Sequence, residues 1–106
     1  MEITPYSIII TTCPDQEEAQ RLANGLIEKK LAACVQLAEI RSFYMWEGQI
    51  NNEPEVRIMI KTKSWLYPHV EEFIIRNHSY SVPEIISIPI DKGSSGYLGW
   101  IDKVTE

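Results

Sequence analysis

What most restricts the fold of this chain is the order in which its hydrophobic period changes along the sequence. Residues 6–12 carry Ile8, Ile9 and Ile10 without a charge, a short β-branched run that reads as a central strand. Pro14 and Asp15 stop it, and Ala19, Leu22, Ala23, Leu26 and Ile27 then recur at helical spacing over about four turns. Asp15, with Glu18 three residues on, has the form of an N-cap and its capping-box partner. Residues 31–37 and 40–46 return to strand character, interrupted around Ala38 and Glu39 as by a bend or a bulge. Turn chemistry follows at Glu47-Gly48-Gln49 and at Asn51-Asn52-Glu53-Pro54, before Val56, Ile58 and Ile60 alternate with Arg57, Met59 and Lys61. That pattern is a long hairpin arm.

Ser64 stands where it caps a second helix, with Pro68 harmless in the first turn and Leu66, Val70, Phe73, Ile74 and Asn77 on one face. A polar loop covers residues 77–83, and residues 84–90 are again β-branched. Gly93-Ser94-Ser95-Gly96 leads into Tyr97, Trp100, Ile101 and Val104 at i, i+3, i+4 and i+7, a short terminal helix. The order β-α-β-β-α-β with a helical tail predicts an α+β, ferredoxin-like sandwich in which two helices cover one face of a four-stranded antiparallel sheet. At 106 residues and 12.2 kDa there is length for one domain, residues 1–106, burying roughly two thirds of its unfolded surface.

Two helices leave the other sheet face open. Ile9, Met59 and either Ile85 or Ile86 are expected there, pointing away from their apolar neighbours. Monomers rarely expose such a patch, so self-association through the open face and the arm is expected, against the alternative of a monomer with a modest surface patch.

Ten Lys and Arg against 15 Asp and Glu leave a net charge of −5 and a pI near 5.0, so nucleic acid is a poor partner. No apolar run approaches the roughly 18 residues that span a bilayer, and Met1-Glu2-Ile3-Thr4-Pro5 has neither a basic nor an apolar leader region. This predicts no membrane partner and a cytoplasmic address. There, Cys13 and Cys34 are expected as free thiols.

His78 lies directly after the second helix, where an imidazole serves as metal ligand, proton carrier or helix C-cap. Cys34, in an apolar stretch, reads as a small buried hydrophobe or as a soft ligand. His69 reads as a surface residue, and Met1, Met45 and Met59 are too scattered for a thioether site. Trp46, Glu55, Lys61, Tyr80, Glu84 and Trp100 suit the lining of a cleft with a few polar anchors, or structural hydrogen bonds and ion pairs between chains. Thr11-Thr12-Cys13-Pro14-Asp15 stands where a phosphate-handling enzyme of this topology needs a Gly-rich loop and an Arg, and no nucleophile is paired with a base at readable spacing. No catalytic activity and no organic cofactor are expected. Ile8-Ile9-Ile10 and Arg57-Ile58-Met59 lack the interleaved aromatic and basic residues of an RNA-reading sheet.

One resemblance runs most of the length of the chain. Leu31-Ala32-Ala33-Cys34-Val35, Tyr44-x-Trp46-x-Gly48, Glu55, Lys61-Thr62 and His78-x-Tyr80-x-x-Pro83-Glu84, in this order, resemble the CutA family of divalent-cation tolerance proteins. The resemblance implies a homotrimer whose hairpin arms extend the sheets of neighbours, with Cys34, Trp46, Glu55, Lys61, Tyr80, His78, Glu84 and Trp100 gathered in clefts between subunits. It also implies a link to copper through a Cys at the end of the first strand and two adjacent histidines after the second helix. Here that match is partial: Thr11 holds the Cys position with Cys13 two places on, and Asn77 replaces the first histidine, leaving His78. The expected function is a trimeric divalent-cation tolerance protein that holds copper or another divalent metal weakly, with His78, Cys13 and Cys34 as its ligands. The alternative is a trimeric signalling module, sharing its fold with the PII regulators, that takes a small molecule or anion in the same clefts.

Overall fold

The computed structural model describes residues 4–106, so Met1 lies outside the described residues. The elements are β1 (Tyr6–Cys13), α1 (Gln16–Glu28), β2 (Cys34–Trp46), β3 (Gln49–Lys63), a 3-10 turn (Ser64–Leu66), α2 (Tyr67–Asn77), β4 (Ile85–Pro89) and α3 (Ser95–Val104). One antiparallel sheet takes them in the order β2-β3-β1-β4, so each helix crosses over an intervening strand, as the ferredoxin-like pattern requires.

The core lies between the sheet and α1 with α2. Ile9 and Cys13 of β1 and Val56, Ile58 and Ile60 of β3 meet Ala19, Leu22 and Leu26 of α1 and Val70 and Ile74 of α2. Alternation therefore sends Ile8, Ile10, Met59, Ile86 and Ile88 to the other face. This corrects the expectation for Ile9, which is fully buried in the core while its two neighbours face outward. A run of three isoleucines carries no phase of its own; the partner strand's Arg57 and Lys61, which need water on the opposite face from Ile58 and Ile60, set it. Of the two candidates in β4, Ile85 packs on the core and Ile86 is outward and 48% exposed.

The outward face is not wholly bare, because α3 lies across one end of it. Tyr6 Oη donates to Asp102 at 2.6 Å, Lys63 Nζ donates to the Glu106 carbonyl at 2.8 Å, and Ile101 is fully buried beneath the helix. Ser94 Oγ caps α3 by accepting from the Tyr97 N–H at 3.3 Å.

Three local expectations give way to tertiary context. The bend at Ala38 and Glu39 is absent: β2 pairs with β3 in one unbroken register from Cys34 opposite Lys61 to Trp46 opposite Gln49. The turn is Glu47-Gly48 alone, both with positive φ (51° and 76°) as a two-residue hairpin needs, so Asn51-Asn52-Glu53-Pro54 is strand. Pro54 is tolerated because β1 ends at Cys13 opposite Val56, leaving no ladder on that side of β3 for a missing N–H to break. Ser64 does not cap α2; its hydroxyl bonds Ser7 Oγ at 2.6 Å, and the 3-10 turn feeds the chain into the helix instead.

Beyond Val56, residues 40–55 form a free two-stranded arm with Phe43, Met45 and Ile50 more than 60% exposed. A two-stranded ribbon is marginal in water without a further surface to pack on.

Candidate functional site

Where α2 ends, its last turn is tied to three other elements. Asn77 Nδ2 closes the helix on the Phe73 carbonyl at 2.8 Å, and the chain leaves extended at His78. The His78 side chain is completely buried. Its Nε2 lies 2.6 Å from the Thr12 carbonyl, which only accepts, so that nitrogen carries the proton. Its Nδ1 accepts the Tyr80 N–H at 3.0 Å and has the Glu18 carboxylate at 3.3 Å. Glu18 in turn accepts the Ser79 N–H at 3.0 Å. The capping-box role expected of Glu18 is thus exchanged for a long-range one; it is a buried carboxylate from α1 that fastens the loop after α2. Sequence spacing pointed Glu18 to its own helix, and nothing local marked the loop as its partner.

Tyr80 carries the tie onward to the root of the arm, donating to Glu55 Oε2 at 3.0 Å. Burial, then the bond to Glu55, pushes the Tyr80 phenol well above its ordinary range. Beside it Tyr44 donates to Glu53 at 3.1 Å and is also raised, chiefly by burial. A recess of about 460 Å³ opens at the same root, lined by Asp15, Glu39, Arg41 and Glu55 among others.

The expected metal ligands do not form a centre within the chain. His78 has both ring nitrogens engaged, and the Cys13 thiol is buried, donates to the Asp15 carbonyl at 3.4 Å and is pushed up to about 11 by burial. A metal needs thiolate and a free imidazole lone pair. Cys34 pairs with Lys61 and Cys13 with Val56, so the two thiols stand about 17 Å apart along β3, on opposite faces. Among the described residues no group of three or more His, Cys, Asp or Glu side chains is placed to hold an ion. Thr11, which stands where the resemblance puts a cysteine, is buried with its hydroxyl unpartnered among the described residues. His69 is exposed as expected, edge-on to Trp65.

The cleft residues fall at separate stations along one ladder. At the body end Cys34 and Lys61 face each other across β2 and β3, and Lys61 Nζ lies 5.6 Å from the Tyr97 ring, which stacks at a tilt on Trp100. Glu55 with Tyr80 lies about 20 Å away along β3, and Trp46 at the arm tip about 40 Å away. Glu84 is exposed just before β4. Tyr97, whose spacing marks only the face of a terminal helix, lies beside Lys61 and Trp100.

Fold and site define a ferredoxin-like domain with an extended hairpin arm, its polar anchors spread along the arm and the outward sheet face. Residues 7–104 match the family described as CutA1 divalent ion tolerance protein. The protein CutA of Mus musculus is 44% identical over 101 residues, which are 94% of this chain; the chain spans 57% of that relative's length. The structure of the periplasmic divalent cation tolerance protein CutA from Archaeoglobus fulgidus superposes with a TM-score of 0.94 at 42% identity, covering 95% of this chain and 99% of that one. CutA1 from the psychrotrophic bacterium Shewanella sp. SIB1 superposes with a TM-score of 0.95 at 41% identity, covering 98% of both chains. The chain belongs to the CutA1 divalent ion tolerance family.

Proposed function

We propose that this chain works as a cytoplasmic homotrimer that binds rather than catalyses, with its polar anchors assembled in clefts between subunits. The observation that carries the reading is the separation of three stations over about 40 Å of one continuous hairpin, Cys34 with Lys61, Glu55 with Tyr80, and Trp46, too far apart to meet within a protomer. An arm laid on the outward face of a neighbour brings them together and covers Ile86, Ile88, Tyr44 and Trp46 in the same step. The cytoplasmic address rests on two free cysteines held apart on opposite sheet faces, together with the absence, among the described residues, of a helix long and apolar enough to cross a membrane.

Copper or another divalent ion is then held weakly, by groups shared between chains. A tight site wants about four N or S ligands, and the half-buried Cys34 is the thiol a neighbouring arm reaches most readily. His78 and Cys13 join only by giving up the bonds that tie the loop after α2.

Light scattering on the eluting protein is expected to give about three times 12.2 kDa. Copper titration is expected to show weak binding that falls in both Cys34→Ser and His78→Ala while the trimer persists. A concentration-independent monomer, or tight binding that survives loss of both thiols, overturns the reading. The alternative, a signalling module that takes a small anion in these clefts, is favoured by the state of Lys61.

A further inference from the structure

Nine of the ten Lys and Arg side chains are either exposed to water or hydrogen-bonded: Lys63 to the Glu106 carbonyl, and the rest solvated. Lys61 is the exception. It is partly buried, and among the described residues no carboxylate and no other hydrogen-bond acceptor reaches its ammonium. A partly desolvated ammonium keeps three donors to satisfy, and a cation over an aromatic ring recovers only about 0.5–2 kcal/mol of what water gave it.

Its surroundings are apolar and aromatic. Register places Cys34 on one side of Lys61 and Ile8 on the other, and α3 lays Tyr97 over the ammonium. Tyr97 and Trp100, with centroids 5.6 Å apart, are each about 40% exposed and present a continuous aromatic wall. Tyr97 belongs to the first turn of the ten-residue α3, whose N-terminal partial charge has the same sign as Lys61. Beside it Gly96 has nothing within 4 Å of where a Cβ would be, so the approach is open.

We propose that Lys61, Tyr97 and Trp100 form a binding site for a small organic carboxylate with a flat apolar body: the carboxylate meets the ammonium and the body lies along the aromatic wall. This deepens the small-anion reading given above and rests on it, but its three residues belong to one protomer. The ammonium and the helix N-terminus disfavour a cationic ligand and favour an anion, and the aromatic pair beside them favours one whose remainder is apolar. Small inorganic anions satisfy the charge and leave the wall wet.

The test uses benzoate as probe on the full chain carrying Trp46→Phe and Trp65→Phe, so that Trp100 is the sole tryptophan. A saturable change in Trp100 emission is expected with benzoate and not with benzyl alcohol or benzylammonium. Lys61→Met is expected to weaken benzoate binding at least tenfold and Lys61→Arg to retain most of it. Equal responses to benzoate and benzyl alcohol, or unchanged affinity in Lys61→Met, overturn the proposal. Light scattering on each variant separates the two readings. If Lys61→Met dissociates the assembly, the ammonium is paired with a carboxylate of a neighbouring copy and the ligand site falls while the trimer stands. A monomeric parent removes the shared cleft and leaves the benzoate result to decide the site alone.

Discussion

Two threonines, both fully buried, make opposite predictions. Thr62 Oγ1 donates to the Leu31 carbonyl at 2.6 Å, whereas Thr11 Oγ1 has no partner among the described residues. Valine has nearly the shape of threonine and the same β-branch, so each Thr→Val change exchanges a hydroxyl for a methyl with little repacking. At position 11 it removes an unpaired polar group whose burial costs about 1–3 kcal/mol, and Ile58 and Ile85 opposite it in the sheet already provide apolar contact. Thr11→Val is expected to stabilise by about 2 kcal/mol, which at a typical slope in guanidinium chloride raises the midpoint by about 0.5 M. Thr62→Val is expected to cost about 1–2 kcal/mol, because the Leu31 carbonyl loses its donor. Both are read from equilibrium unfolding at one protein concentration, with the slope as the check that neither end state has changed. A destabilised Thr11→Val with an unaltered slope would show that the hydroxyl has a partner, such as a buried water, and the reasoning would fail.

Glu47 sits at φ 51° in the hairpin turn, a conformation that asparagine tolerates better; Glu47→Asn is expected to raise stability by up to about 1 kcal/mol in the same assay. Cys13, pushed up to about 11 by burial, stays protonated in the folded chain while the unfolded thiol ionises from its ordinary value near 9.0. The contribution is therefore complete below pH 9 and is lost as pH rises toward 11, so an alkaline slope in unfolding free energy that Cys13→Ala flattens is expected. At pH 8 a thiol reagent is expected to label the half-buried Cys34 well ahead of Cys13; equal rates would contradict the burial that holds Cys13 neutral.

How far the fold was legible depends on how local each signal was. The α1 start was readable because the Asp15 carboxylate and the Glu18 N–H that donates to it lie three residues apart, at 2.9 Å. The helix faces were readable because the 3.6-residue period is written into Ala19, Leu22 and Leu26. Asn51-Asn52-Glu53-Pro54 misled because turn-forming residues also suit a solvated ribbon lacking a second neighbour, and only the end of β1 at Cys13 decides between the two. The phase of Ile8-Ile9-Ile10 was undecidable in isolation for the same reason. In the candidate site the members Cys34, Lys61, Glu55 and Tyr80 were identifiable as residues, but their stations along the ladder were not. The links through Glu18, His78 and Thr12 span 61 and 66 residues of sequence and leave no periodic trace.

The pairing pattern also sets an order of events on the ribosome. The β2–β3 hairpin is local and can zip as soon as Lys63 has emerged. The central strand β1, which is made first, finds its partner β3 only after roughly 50 further residues and β4 after roughly 75, at synthesis rates of about 5–20 residues per second. For several seconds the uncharged Ile8-Ile9-Ile10 segment is therefore an unpaired sticky strand in a nascent chain. The exposed arm is finished before the part that makes the molecule a folded domain.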